Sequence, residues 1–241
     1  MTLIRTVDVS SHNQRSLTML AQWVAQGAQA LIVHSYHSGE QASLAQTTRE
    51  WISLARQAGI WAWPYVWLFR SMDPARQTRE AIELFRDSDM PPSLIALDCE
   101  TYGHGSSFDP GPTAEQILTA AETARGMGVE VILYSGLPWL TAMDGDHEIL
   151  RGVPAWIANY NGQQTLDVPA PEWVRVIGHQ YTSTPVDWSV FDLEALKELS
   201  VGQDPCSALK SAVAAELETI DSAMAAMVDA VNRIRALVEA R

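Results

Sequence analysis

Short apolar segments alternate with longer segments of helical periodicity along most of this chain, and that alternation limits the possible folds more than any other feature. Seven segments have the length and apolar character of strands: residues 4–9, 30–34, 61–68, 94–98, 129–134, 155–159 and 174–181. Helical periodicity occupies residues 16–26, 42–58, 74–87, 113–128 and, more weakly, 137–142. Such alternation favours an α/β fold with a parallel sheet. Because the late strands follow one another with little helix between them, we expect an irregular, TIM-like β/α barrel.

Polar residues recur where the predicted strands end. In a β/α barrel the C-terminal ends of the strands form one rim, and catalytic groups gather there. The residues at or just after these ends are Asp8, His34, Tyr36, Asp98, Glu100, Tyr134, Asn159, Tyr160, Gln180 and Tyr181. Solvent exposure explains one or two acids at strand ends, but it explains this recurrence less well. We therefore expect a functional site on the rim.

The segment 94–98 leads into two carboxylates, Asp98 and Glu100, that stand two positions apart. Side chains at positions i and i+2 of a strand point to the same face, with Cα atoms about 6.5–7 Å apart. Glycoside hydrolysis uses such a pair, with one carboxyl group protonated as the acid and the other ionised to stabilise positive charge on the sugar. An isolated Asp-x-Glu is also common at solvated strand ends, so its interpretation depends on the rest of the chain.

The composition excludes several classes of function. The formal net charge is −13, from 29 acidic and 16 basic residues, and the chain has no Lys/Arg cluster, so we expect no nucleic-acid partner. The six histidines lack ligand spacing, and no phosphate-binding glycine loop is present, so we expect no metal and no cofactor. The two cysteines, Cys99 and Cys206, lie far apart and do not suggest a disulfide framework.

The composition changes near residue 200. We expect a domain over residues 1–200, a linker over 201–205 and an amphipathic helix over 206–241, which contains no Gly, Pro or aromatic residue. Apolar residues of this last segment follow heptad spacing on two lines: Leu217, Met224, Val231 and Val238, and Val213, Ile220, Met227 and Ile234. The pattern predicts a coiled coil that makes the protein a homo-oligomer. A helix folded back on its own domain is the alternative.

Five motifs occur in order along the chain, each at the edge of a predicted strand. They are Val7-Asp8-Val9-Ser10, Leu97-Asp98-Cys99-Glu100, Ile132-Leu133-Tyr134-Ser135, Ala155-Trp156-Ile157-Ala158-Asn159-Tyr160, and Gly178-His179-Gln180-Tyr181 with Val186-Asp187 after it. Together they resemble the family 25 glycoside hydrolases, the lysozymes of phages and bacteria, over about residues 6–199. The order and placement make this resemblance specific.

The resemblance implies a barrel of five β/α units followed by three strands. It also implies cleavage of the β-1,4 bond between N-acetylmuramic acid and N-acetylglucosamine in bacterial peptidoglycan. We favour a phage or prophage lysin. The N-terminal residues have the pattern of a strand, so we expect synthesis in the host cytoplasm without a signal peptide. No segment has the length of a membrane span, so we expect no membrane insertion. Action at the wall would follow release from the cell.

Four acids form the candidate catalytic set. We expect Glu100 to be the general acid, with its pKa raised by partial burial and a neighbouring carboxylate. The resemblance implies retention, with the substrate's own N-acetyl oxygen as nucleophile and Asp98 stabilising the oxazolinium; direct attack by Asp98 is the alternative. Asp8 and Asp187 come from the first and last strands, which are neighbours in a closed barrel, and would complete the acidic cluster. The candidate substrate-binding residues are Tyr65, Trp67, Tyr134, Trp156, Tyr160 and Gln180.

Some features depart from the family's pattern. The run Tyr65-Val66-Trp67 lacks the histidine of the family's Tyr-His-Phe segment, and Thr184-Pro185 replaces the glycines that usually flank the last aspartate. No recognisable wall-binding repeat follows the barrel. The alternative function is therefore a phage tail or baseplate protein, structural or wall-binding, with a lysozyme-like barrel. A chitinase is less favoured, because the D-x-x-D-x-D-x-E pattern of one chitinase family is absent.

Overall fold

Ten strands and six helices occupy the residues that our computed structural model describes, which are 1–36, 41–88, 90–104 and 107–199. The strands are β1 (Leu3–Val9), β2 (Ala28–Tyr36), β3 (Trp61–Trp67), β4 (Leu94–Asp98), β5 (Tyr102–His104), β6 (Ser107–Asp109), β7 (Glu130–Gly136), β8 (Pro154–Ala158), β9 (Arg175–Thr182) and β10 (Asp187–Asp192). The helices are α1 (Leu17–Ala25), α2 (Gln41–Gln57), α3 (Pro74–Arg86), α4 (Ala114–Gly126), α5 (Leu137–Ala142) and α6 (Leu193–Leu199), and His147–Leu150 form a 3-10 helix. The predicted linker and coiled coil, 201–205 and 206–241, lie outside the described residues.

Eight of the strands close into a barrel because the last strand pairs with the first. Around the barrel the order is β1-β10-β9-β8-β7-β4-β3-β2. Every neighbouring pair is parallel except β9–β10 and β10–β1, which are antiparallel. The predicted irregular β/α barrel is confirmed, including the closing strands with no helix between β8 and β10.

Two parts of the fold were not predicted from the periodicity. The β5–β6 hairpin directly follows Glu100, and α6 follows the closing strand. A three-residue strand and a seven-residue helix are too short to establish a hydrophobic period, which needs a window of about 11 residues or more. The strand β10 was expected only from the family resemblance.

The core has a layer inside the barrel and a layer between barrel and helices. Inside, Trp63 packs edge-on against Phe191, with ring centroids 5.7 Å apart. A Cβ at Gly178 would lie 2.3 Å from the Phe191 ring, so only glycine fits there. Outside, Trp23 and Trp51 are buried and stack with ring centroids 6.0 Å apart. Burial of a large apolar side chain contributes about 1.5–3 kcal/mol.

Capping residues fix where the chain turns from the rim into three of the helices. The Ser16 side chain accepts a hydrogen bond from the Met19 amide at the start of α1. Asp73 caps α3, and Thr113 forms a capping box with Gln116 at the start of α4. These caps anchor loops next to the strand ends. Across the described part of the chain, no helix combines the length and apolar character that a membrane crossing requires.

Candidate active site

The C-terminal ends of the barrel strands surround a pocket of about 150 Å³. Its lining is composed of the four candidate acids and the six candidate substrate-binding residues: Asp8, Tyr65, Trp67, Asp98, Glu100, Tyr134, Trp156, Tyr160, Gln180 and Asp187. The structure therefore brings together every candidate catalytic and substrate-binding residue, whereas four other strand-end residues do not line the pocket: His34, Tyr36, Asn159 and Tyr181. A pocket of this volume accepts only a short part of a polymer, so any longer ligand must extend across its rim.

The register between neighbouring strands sets the level of the side chains in the pocket. Trp67 is the register partner of Asp98, and Asp98 is in turn the partner of Tyr134. On the opposite side of the pocket Asp8 lies directly across from Asp187, where β1 meets β10. Strands that are distant in sequence thus end at one level, which concentrates carboxylates and aromatic rings in the same place.

Asp98 and Glu100 have different surroundings although Asp98 ends β4 and Glu100 follows only two positions later. Asp98 is 5% exposed, and its Oδ1 atom has no hydrogen-bond partner in the described structure. Burial raises the pKa of Asp98 well above its usual value, and the charges of Glu100 and Asp8 raise it further. Glu100 is half-buried, and burial raises its pKa as well. Because carboxylates so close to each other titrate as a unit, the cluster retains protons above the usual carboxyl range.

A chain of hydrogen bonds links Tyr134 to Asp8 through Gln180. The Tyr134 hydroxyl donates to Gln180 Oε1 over 2.5 Å, and Gln180 Nε2 donates to Asp8 Oδ2 over 2.9 Å. Burial and the charge of Asp187 raise the pKa of Asp8, while the Gln180 bond lowers it. Burial and nearby carboxylates also raise the pKa of Tyr134, so its phenol stays protonated and donates. Burial raises the pKa of Asp187 to about 6.

The aromatic residues form the walls and the rim of the pocket. Tyr65 stacks on His34, with ring centroids 4.6 Å apart and planes 9° from parallel. Trp156 is only 2% exposed, and its indole N–H donates to Ser189 Oγ over 3.0 Å, so it forms a fixed wall. Tyr160 is 56% exposed and offers its ring to solvent at the rim. A sugar therefore has most access to the Tyr160 ring.

Two residues next to the Glu100 backbone could not be identified from the sequence. Asp109 is the last residue of β6 and binds the amide of Gly111, which follows the hairpin and lies against the Glu100 backbone; neither residue lines the pocket. The Pro110-Gly111-Pro112 turn is visible in the sequence, but a turn motif does not show what it packs against. Among the described residues, no group of three or more His, Cys, Asp or Glu side chains has an arrangement suited to a metal ion.

Several solved structures share this barrel. The modular autolysin LytC of Streptococcus pneumoniae is 23% identical, with a TM-score of 0.63 over 79% of this chain and 47% of LytC. The catalytic domain of endolysin Ply40, from bacteriophage P40 of Listeria monocytogenes, is 16% identical, with a TM-score of 0.55 over 83% of this chain and 98% of that domain. The modular Cpl-1 endolysin, in complex with a peptidoglycan analogue, is 20% identical, with a TM-score of 0.52 over 78% of this chain and 53% of Cpl-1.

The chain spans about half the length of LytC and Cpl-1, and at these identities the likeness shows a common fold. No curated protein matches the sequence. The family model described as Glycosyl hydrolases family 25 matches residues 7–190, which is most of the chain and includes every residue that lines the pocket. The chain therefore belongs to family 25 of the glycosyl hydrolases.

Proposed function

We propose that the protein is a peptidoglycan hydrolase that cleaves the β-1,4 bond between N-acetylmuramic acid and N-acetylglucosamine, which makes it a muramidase. The observation that carries this proposal is the pocket in which Asp98 and Glu100 stand among further acids and aromatic rings. Membership of family 25 supports a glycoside hydrolase. The structures of LytC and Cpl-1 with peptidoglycan ligands or analogues support the substrate class.

Glu100 is the proposed general acid. It is half-buried, it lines the pocket, and burial raises its pKa, so it holds a proton at a higher pH than a solvated glutamate does. In the reaction it donates this proton to the glycosidic oxygen as the bond to the leaving sugar breaks. Partial exposure lets the carboxyl group reach a sugar in the pocket and recover a proton afterwards.

Asp98 is the proposed stabiliser of positive charge on the sugar. Its Oδ1 atom is buried and lacks a partner, so a donor on the bound substrate would satisfy it. In a substrate-assisted reaction with retention, the donor is the N–H of the acetamido group, whose oxygen attacks the anomeric carbon and forms the oxazolinium. Direct attack by Asp98 is the alternative, and a covalent glycosyl adduct on Asp98 would favour it.

The test is the release of reducing ends from purified peptidoglycan by the wild type, Glu100→Gln and a control variant. Glu122 is exposed on α4 and is not part of the pocket lining, so Glu122→Gln is the matched control. Removal of a general acid lowers rates about 10²–10⁴-fold. We expect new N-acetylmuramic acid reducing ends from the wild type and Glu122→Gln, and a loss of that size in Glu100→Gln. Absence of product from several wall types would instead favour the wall-binding or structural alternative.

The biological setting of a phage or prophage lysin, released to the wall or carried on a virion, is a further part of the proposal. Homo-oligomerisation through residues 206–241 also remains a prediction from heptad spacing. Clustered catalytic domains would gain avidity for a polymeric wall without any new contact. Light scattering of the full chain beside a chain that ends at residue 205 tests it, and an equal, monomeric mass for both would contradict it.

A further inference from the structure

The backbone behind Glu100 leaves no room for a side chain at Gly111. Gly111 has φ +81°, and a Cβ built there would lie 2.6 Å from the carbonyl oxygen of Glu100 and 3.0 Å from its carbonyl carbon. The same Cβ would lie 2.8 Å from Trp139 Nε1. Real Cβ atoms do not approach backbone this closely, so any residue other than glycine must displace either Glu100 or its own loop.

Asp109 holds Gly111 in this place. Its buried carboxylate accepts hydrogen bonds from three backbone amides: Oδ1 from Gly111 over 2.8 Å and from Arg70 over 3.1 Å, and Oδ2 from Ser71 over 3.3 Å. The Arg70 Nε atom in turn donates to the Gly111 carbonyl over 2.5 Å. Two loops, one after β3 and one after β6, are thereby joined directly behind Glu100.

The residues immediately before Glu100 are fixed by strand-like contacts. The amide of Cys99 donates to the Tyr134 carbonyl over 3.0 Å, and Ser135 Oγ donates to the Cys99 carbonyl over 2.6 Å. Glu100 itself comes after the last residue of β4, where the ladder ends. The close approach of Gly111, which does not line the pocket, therefore limits where the Glu100 backbone can lie.

We propose that Gly111, held by Asp109, is a positioning residue that sets the place of the Glu100 carboxyl group in the pocket. The inference rests on the proposed function, in which Glu100 is the general acid. Neither Asp109 nor Gly111 lines the pocket, so both act through Glu100. A misplacement of about 1 Å in a reacting group can lower a rate about 10²-fold.

The first test compares Gly111→Ala with Gly128→Ala. Gly128 has φ +74°, and a Cβ there would meet nothing within 4 Å, so this control carries similar backbone strain without the clash. We expect Gly111→Ala to lower kcat on soluble glycan fragments about 100-fold with KM within about twofold of wild type. Gly128→Ala is expected to keep both constants within about twofold. Equal kinetics for the two variants would overturn the proposal.

A second readout follows the ¹³C resonance of the Glu100 carboxyl group across a pH titration. We expect its shift or midpoint to change in Gly111→Ala and to match wild type in Gly128→Ala. This measurement distinguishes the proposed positioning role of Gly111 from the proposed muramidase function. If the wild type releases no sugar ends, the proposed function fails, while an unchanged Glu100 resonance in Gly111→Ala overturns the positioning role itself.

Two substitutions at Asp109 test whether its carboxylate holds Gly111 in place. Asp109→Asn keeps an oxygen for the amides of Gly111 and Arg70, whereas Asp109→Ala removes every acceptor. We expect Asp109→Asn to retain kcat within about tenfold and Asp109→Ala to fall to the level of Gly111→Ala. If Asp109→Ala keeps the kcat of the wild type, Asp109 does not hold Gly111 in the way proposed. Should Asp109→Ala fail to fold, the Gly111 and Gly128 variants decide.

Discussion

Two buried carboxylates near the same end of the barrel have opposite surroundings. Asp109, the last residue of β6 and not part of the pocket lining, is 8% exposed and accepts hydrogen bonds from three backbone amides. Asp98, on the pocket rim, is 5% exposed and keeps an oxygen without a hydrogen-bond partner in the described structure. A buried polar atom without a partner costs free energy of folding, so the fold alone does not account for Asp98. The difference separates a carboxylate that builds a loop from one available to a ligand.

For this pair of aspartates, the largest effect is expected when each is exchanged in turn for asparagine. Asp98→Asn should lower the rate of glycan cleavage about 10²–10³-fold, because the site loses a charge aimed at the sugar, while unfolding free energy stays equal or rises. Asp109→Asn should lower the unfolding free energy by about 1–3 kcal/mol, since one oxygen acceptor is lost. Urea denaturation and reducing-end assays measure the two quantities. Comparable destabilisation by Asp98→Asn and Asp109→Asn would contradict the contrast between the two aspartates.

The same contrast explains what the sequence could predict. Most rim residues could be found because they lie near or just after the end of a strand, and parallel strands of a barrel end at one level; Asp98 and Tyr134 are register partners for this reason. Asp187 is different, because it begins the antiparallel strand β10 and was expected only from the family resemblance. Asp109 and Gly111 could not be found, because their part depends on contacts between two loops that carry no periodic pattern. Whether each rim residue has its expected role in catalysis or binding remains a prediction.

Gln180 also shows where the pattern was insufficient. The sequence placed it at a strand end and suggested contact with substrate, but both ends of its amide are occupied by Tyr134 and Asp8. It is 2% exposed, which leaves little of it for a ligand. These contacts favour a part in orienting Asp8. A strand-end position thus predicts that a side chain lies at the pocket, while its partners come from the three-dimensional arrangement.

The surroundings of Asp8 are intermediate between those of Asp98 and Asp109, because one Asp8 oxygen accepts a hydrogen bond from the side-chain amide of Gln180. Tyr134→Phe removes the hydroxyl that holds the Gln180 amide in its orientation, so Gln180 no longer always presents Nε2 to Asp8. We expect kcat to fall about tenfold, as one hydrogen bond worth about 1.4 kcal/mol would give. The pH profile of kcat, measured beside Trp61→Phe as an aromatic control outside the pocket lining, should change only in Tyr134→Phe. An unchanged pH profile in Tyr134→Phe would contradict a role for the hydrogen-bond chain from Tyr134 to Asp8.

Tyr160 differs from the buried aspartates, because its side chain is 56% exposed at the rim of the pocket. Tyr160→Ala removes a ring on which a sugar face can stack, worth about 0.5–1.5 kcal/mol. We expect KM to rise about three- to tenfold with kcat nearly unchanged, and no loss of unfolding free energy. Phe108→Ala offers a control, since the Phe108 ring is 73% exposed and is not part of the pocket lining. A fall in kcat for Tyr160→Ala would place this ring in the chemical step instead.

The smallest expected effect concerns the dependence of stability on pH. Burial raises the pKa of Asp187 to about 6, whereas an unfolded chain holds aspartate near 3.9. Between about pH 4 and pH 6 the folded protein therefore binds more protons than the unfolded one, and stability must decrease as pH rises through this window. Above about pH 6 the contribution of Asp187 is constant, since the carboxyl group is ionised in both states.

Asp187→Asn should flatten this slope for two reasons. The variant lacks the titrating group, and it also removes the charge that raises the pKa of Asp8 across the strand pair. Some slope should remain, because burial also raises the pKa of Asp98 and Glu100. Melting temperatures of wild type and variant between pH 4 and pH 7 measure the difference. If both curves have the same slope, Asp187 is solvated in the folded protein, and the contrast between rim and loop carboxylates then rests on Asp98 alone.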